Sequence, residues 1–127
     1  MKLTDSDNYL GHRFEYQGNE PFALSGDERE LLTQLCVGGF KVSKSYNRRH
    51  TSYGFKHVAE RILGFYVSNS DMKRAMIDAG FKADPMSLYD INWSFNVAES
   101  SPIIKWNMNN VLVDSNGAFV GDDINYL

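Results

Sequence analysis

Apolar residues recur at helical spacing in three stretches of the chain. The first stretch follows a capping-box sequence at residues 25–28, in which Ser and Glu stand three positions apart. Its apolar positions are Leu31, Leu32, Leu35 and Cys36. The pattern predicts a first helix that ends at Gly38-Gly39, because glycine adopts the left-handed conformation of a helix end at little cost.

Two further helices are predicted in the middle of the chain. The second covers residues 52–63, where a single apolar stripe consists of Phe55, Val58, Ala59, Ile62 and Leu63. The third begins with residues 68–71, which supply its N-cap and an acidic first turn. Its stripe is Met72, Ala75, Met76 and Ala79, and Gly80 is expected to follow its end.

The last third of the chain has the pattern of β-structure. Ile91, Trp93, Phe95 and Val97 alternate with polar residues, which predicts a half-buried strand broken by Pro102. Another short strand is predicted at 103–106. The Asn116-Gly117 turn between 111–113 and 118–120 predicts a hairpin.

Helices followed by strands predict a single α+β domain over residues 1–127, with about three helices packed on a C-terminal antiparallel β-sheet. The same order is found in winged helix-turn-helix domains, where the start of the second helix of the pair contacts base edges. In this chain those positions are Ser68, Asn69, Ser70, Lys73 and Arg74.

Charge is segregated along the sequence. Residues 1–30 and 84–127 are acidic, whereas residues 31–83 carry nine basic and three acidic side chains. Cations interleaved with Tyr46 and Tyr53 suit a polyanion, because Lys and Arg neutralise phosphates. The predicted nucleic-acid-binding residues are Lys41, Lys44, Arg48, Arg49, His50, Lys56, Asn69, Lys73 and Arg74. The alternative is a solvated basic face balanced by the acidic ends, which the overall pI of about 5.5 favours.

Motifs for enzymatic chemistry are missing. The sequence has no phosphate loop, dinucleotide-binding glycine fingerprint or nucleophile elbow. No catalytic residue, metal ligand or cofactor is therefore predicted, and Cys36, the single cysteine, is expected in the core. One question stays open: whether Asp90, Asp114, Asp122 and Asp123 meet in an ion site.

Four segments carry a resemblance: residues 52–57, 66–69, 76–81 and 92–96. They lie within a stretch of about 45 residues, roughly a third of the chain, and resemble a pattern in small proteins of bacterial phages, plasmids and conjugative elements. The resemblance implies an accessory protein of a mobile element; such proteins include DNA-binding regulators and inhibitors of restriction or CRISPR systems. It assigns no role to any residue.

These observations lead to two hypotheses for a non-enzymatic binding protein. The first is nucleic-acid contact through the basic centre of the chain. The alternative is an anti-CRISPR or anti-restriction inhibitor, which binds a host protein complex through its acidic surface. With neither an apolar run long enough to span a membrane nor a signal peptide, the expected location is the cytoplasm of the bacterial host. Whether the protein forms a homodimer stays open.

Overall fold

A computed structural model describes residues 22–111 of the chain, with side chains to residue 107. Its helices are α1 (Gly26–Gly39), α2 (Ser52–Leu63), α3 (Asn69–Asp78), a 3₁₀ helix (Pro85–Tyr89) and α4 (Pro102–Val111). Helices α1, α2 and α3 pack against one another. The three helices predicted from periodicity are therefore confirmed, and α2 has the predicted bounds.

Local sequence accounts for the helix ends. In the capping box of α1, the Glu28 amide donates to Ser25 Oγ and the Ser25 amide donates to Glu28 Oε1. Gly64 ends α2 in the left-handed region, at φ 81°. The predicted left-handed end at Gly38-Gly39 is wrong, because Phe40 caps α1 in an extended conformation. Gly39 instead lies where a Cβ atom would collide with the Ile103 side chain, so packing against α4 requires a glycine.

The predicted antiparallel β-sheet is absent from residues 22–111. Segment 91–97 forms only two isolated bridges, Val42 with Val97 and Ala83 with Phe95. Its alternation gives the right burial for Trp93, Phe95 and Val97, which are inside, but not for Ile91, which is exposed, or Ser94, which is buried. However, irregular loops rather than strands supply its backbone partners, so no ladder forms.

The expected strand at 103–106 is also wrong, since these residues belong to α4. Pro102 begins this helix, where its missing N–H breaks no helical hydrogen bond. Ile103 and Ile104 are buried by the packing of that helix. The predicted hairpin lies beyond the described residues, apart from Val111 at the end of α4.

The winged helix-turn-helix prediction fails as well. No sheet follows the helix pair within residues 22–111, and Ser68, Asn69 and Ser70 at the start of α3 are buried. A reading helix must expose these positions to the major groove. The core instead encloses this end of α3. Its largest fully buried apolar side chains are Trp93, Phe55, Phe95, Leu32, Met72 and Met76.

Candidate nucleic-acid interface

The loop between α1 and α2, residues 41–51, is here called the basic loop. It runs beside the buried segment 93–98. Three backbone hydrogen bonds join the loop to this segment, and a fourth joins Ser52, the first residue of α2, to it. They are Ala98 N to Lys41 O (2.8 Å), Ser43 N to Asn96 O (2.9 Å), Asn47 N to Phe95 O (2.8 Å) and Ser52 N to Trp93 O (2.9 Å). The path of the loop is therefore fixed although it has no regular secondary structure.

Asn47 anchors the centre of the basic loop. Its buried side chain donates from Nδ2 to Val97 O (3.0 Å) and to Glu99 Oε1 (2.8 Å). Its Oδ1 accepts from the backbone amides of Arg49 (2.9 Å) and His50 (3.0 Å). This side chain thus ties the loop to segment 93–99 and turns the backbone at Arg48, as asparagine commonly does in turns.

Four cations of the basic loop are exposed: Lys41, Lys44, Arg48 and Arg49. The side chains of Arg48 and Arg49 are 67% and 77% exposed. Arg48 forms an ion pair with the buried carboxylate of Asp84. The hydrogen bonds that Asp84 accepts from the Arg48 side chain and from the Met86 amide lower its pKa. Arg49 lies 3.8 Å from Glu99 Oε2, too far for a hydrogen bond.

A pocket of about 240 Å³ opens beside these cations. It is lined by Ser43, Ser45, Tyr46, Asn47, Arg48, Arg49, Val97, Ala98 and Glu99. Hydroxyls, guanidinium groups and one carboxylate therefore meet at a single concave surface. Such a surface can donate hydrogen bonds to an anionic or polar ligand from several directions.

Glu99 is the only acidic residue that lines this pocket. Its Oε1 accepts from Asn47 Nδ2 and lies 2.9 Å from Nε2 of the buried His50 ring. Burial favours the protonated form of Glu99, but the hydrogen bonds from Asn47 and His50, with the charges of His50 and Arg49, outweigh it and lower the pKa of Glu99. The carboxylate is thus held ionised within a cationic surface.

Other predicted binding residues lie away from this surface. Lys56 is buried and its Nζ donates to Glu60 (2.9 Å) and to Val67 O (3.2 Å). Asn69 is buried and its Nδ2 donates to Ile91 O (3.1 Å) and to Asn92 Oδ1 (2.8 Å). These contacts hold elements of the fold together and leave neither side chain on the surface.

The two predicted cations of α3 pack against aromatic rings. Lys73 is fully buried with Nζ 4.6 Å from the centre of the Trp93 ring, and burial lowers its pKa to about 8. Arg74 is half-buried, 4.4 Å from the centre of the Phe22 ring. The cations of the basic loop are therefore exposed to solvent, whereas Lys73 is not.

Sequence reasoning missed two residues of the candidate site, Asn47 and Glu99. Asn47 carried a usable signal, since asparagine in a polar connector commonly organises a turn through its side chain. Glu99 carried none, because its position in the pocket depends on contacts with residues about fifty positions earlier, such as Asn47.

Within residues 22–107, no group of three or more His, Cys, Asp or Glu side chains could hold a metal ion. Asp90 is exposed, and the other three aspartates of the suggested ion site lie outside the described residues. Cys36 is fully buried, and burial raises the pKa of its thiol, so the expected core position is confirmed.

None of the helices in residues 22–111 has the length and apolar character needed to cross a membrane. No protein-family model matches the sequence, and no curated protein or solved structure is similar enough to indicate a family. Inferences about function therefore rest on the chemistry of the described residues.

Proposed function

We propose that this protein is a non-enzymatic nucleic-acid-binding protein that contacts the phosphate backbone through the basic loop. The observation that carries the proposal is the exposure of Lys41, Lys44, Arg48 and Arg49 on one loop with a fixed backbone. Each cation that neutralises a phosphate releases condensed counterions, which favours binding at low salt.

The fixed path of the loop supports this proposal because it reduces the entropy lost on binding. Its backbone is tied to segment 93–98, so a ligand needs to order only the side chains. Arg48 is already partly ordered by its bond to Asp84. The loop therefore presents its cations at nearly constant spacing.

The surroundings of the loop favour a single strand over a duplex as the ligand. The start of α3 is buried, which leaves the helix pair without an accessible reading helix. By contrast, Tyr46 is half-buried in the loop, with the Arg48 guanidinium 5.8 Å from its ring centre. An aromatic ring combined with cations is the usual platform for unpaired bases.

Fluorescence anisotropy with a labelled single strand and its duplex, in about 50 and 200 mM salt, tests the proposal. Phosphate contacts by two to four of these cations would give a slope of log K against log salt between about −1.4 and −3. We expect the single strand to bind more tightly than the duplex. Binding that is indifferent to salt would contradict the proposal.

Charge-removing variants locate the interface. Lys41→Ala and Lys44→Ala should each weaken binding and make the salt slope about 0.7 less steep, since each removes one phosphate contact. Lys105→Ala, which removes an exposed cation of α4, is the matched control and should change neither quantity. Arg48→Ala is less informative because it also leaves the buried Asp84 carboxylate without its partner. If Lys105→Ala weakened binding as much as the two informative loop variants do, binding would not depend on this loop.

The proposal includes the biological setting implied by the sequence resemblance: an accessory protein of a mobile element, acting in the cytoplasm of a bacterial host. If the protein bound neither the single strand nor the duplex at low salt, the proposed nucleic-acid binding would be overturned. The alternative, inhibition of a host defence complex through the acidic ends of the chain, would then become the hypothesis to test.

A further inference from the structure

Glu99 is out of place on a surface that binds only phosphates. Its carboxylate lines the pocket beside Arg48 and Arg49, and its side chain is 45% exposed. A negative charge here repels phosphates, yet Asn47 and His50 both stabilise it. These two partners hold the carboxylate in one position at the pocket surface.

The carboxylate has acceptor capacity left. An ionised carboxylate offers about four acceptor positions; Asn47 uses one on Oε1 and His50 Nε2 uses one on Oε2 (3.1 Å), which leaves one on each oxygen. Arg49 stands 3.8 Å from Oε2, so its guanidinium is close to the carboxylate and still free to donate elsewhere. Free acceptors of Glu99 and free donors of Arg49 are therefore side by side in the pocket.

This combination of acceptors and donors matches guanine among the four bases. Guanine presents two adjacent donors, N1–H and the N2 amino group, and next to them two acceptors, O6 and N7. Adenine and cytosine each place a ring-nitrogen acceptor next to the amino group, and thymine flanks its single donor with two carbonyls. Only guanine offers a carboxylate two donors at once.

The size and walls of the pocket also suit a base. Its volume of about 240 Å³ is below the range of roughly 300–1,000 Å³ that drug-sized ligands fill. Tyr46 and Arg48 contribute an aromatic ring and a planar guanidinium to the lining, and such groups stack on unpaired bases. The hydroxyls of Ser43 and Ser45 complete a polar rim.

We infer that this pocket takes one unpaired guanine of a bound single strand, with Glu99 accepting from its N1–H and N2 amino groups and Arg49 donating to O6 and N7. The inference rests on the proposed function, because the basic loop holds the strand that carries the base. Base pairing occupies these donors in a duplex, so the pocket distinguishes single strands from duplexes. Glu99 is then the residue that determines base specificity.

The test uses labelled single strands of eleven nucleotides that are thymidine except at the centre, where the base is guanine, hypoxanthine, adenine or thymine. Guanine should bind about tenfold more tightly than adenine or thymine. Hypoxanthine lacks the N2 amino group and should lose part of that preference. Guanosine monophosphate alone should bind far more weakly than the guanine-containing strand, because it makes few of the phosphate contacts of the loop.

Variants assign the preference to Glu99. Glu99→Gln should remove the guanine preference while raising affinity for the all-thymine strand, since a repelling charge is lost. Arg49→Lys keeps the charge but loses the planar donor fork, so it should reduce the preference and leave the salt slope unchanged. Asp90→Asn, which neutralises an exposed carboxylate that does not line the pocket, should keep the preference. Thermal melts of each variant confirm that it folds.

The possible outcomes separate the two proposals. Salt-dependent binding with equal affinity for all four strands, or a guanine preference that survives Glu99→Gln, would overturn the guanine pocket and leave the proposed function intact. Guanosine monophosphate that binds as tightly as the strand would assign the pocket to a free nucleotide and overturn its role in strand binding. If no strand binds at low salt, the proposed function itself fails.

Discussion

Replacing Asn47 by Ala should loosen the basic loop and destabilise the whole domain. The change removes a buried amide that makes four hydrogen bonds, two donated by Nδ2 and two accepted by Oδ1. Val97 O would lose the hydrogen bond that Asn47 Nδ2 donates to it. The amides of Arg49 and His50 would lose Oδ1, the acceptor of their hydrogen bonds.

The structure sets the size of the effect. A hydrogen bond contributes about 0.5–1.5 kcal/mol net, and a buried group left unsatisfied costs about 1–3 kcal/mol. Glu99 and the Arg49 amide are near solvent and can recover water, whereas Val97 O and the His50 amide are buried. We therefore expect a loss of roughly 3 kcal/mol in the free energy of unfolding.

Urea unfolding followed by circular dichroism measures this loss. With a denaturant slope of about 1–3 kcal/mol per molar, the midpoint should fall by roughly 1–3 M. Asn96→Ala is the matched control, since its Oδ1 accepts one exposed hydrogen bond, from the Lys82 amide (2.7 Å), and its loss should cost about 1 kcal/mol or less. A loss for Asn47→Ala no larger than that for the control would refute the role given to Asn47.

Three further predictions concern groups outside the pocket. Burial lowers the pKa of Lys73 from its usual 10.5 to about 8. Between these two pH values the unfolded chain binds more protons than the folded protein, so the free energy of unfolding should rise from pH 8 to about 10.5. Lys73→Met should abolish that rise, whereas an equal rise in the variant would contradict this account. The thiol of Cys36 should react with a disulfide reagent only as fast as the protein unfolds, because burial raises its pKa and blocks access; rapid labelling under native conditions would show an open core. Ser25→Ala should cost about 1 kcal/mol by removing the cap of α1, and an unchanged thermal midpoint would argue against it.

Helices α1, α2 and α3 were predictable because their signals are local. The capping box at Ser25 spans four residues, and the apolar stripe of α2 lies within a single helix of twelve residues. The strand prediction for segment 91–97 was right about the burial of Trp93, Phe95 and Val97, and wrong about Ile91, Ser94 and the pairing of the backbone. Alternation tells which side chains are buried, but a strand also needs a partner with regular register, and irregular loops flank this segment.

The segment after Pro102 shows a similar limit. Two adjacent isoleucines fit a strand or a buried helix equally well over four residues. Packing decides between them: Ile103 lies against Gly39 of α1, and that contact forms with α4 as a helix.

For the candidate site, the sequence determined by itself that the middle of the chain is basic, and that Lys and Arg concentrate between α1 and α2. Tertiary packing leaves Lys44 exposed but buries Lys73 against Trp93, and it brings Glu99 to the pocket beside Asn47. The two kinds of information differ in range along the chain. Helix periodicity and caps act over a few residues, while the environment of a charge is set by side chains brought together from distant parts of the chain.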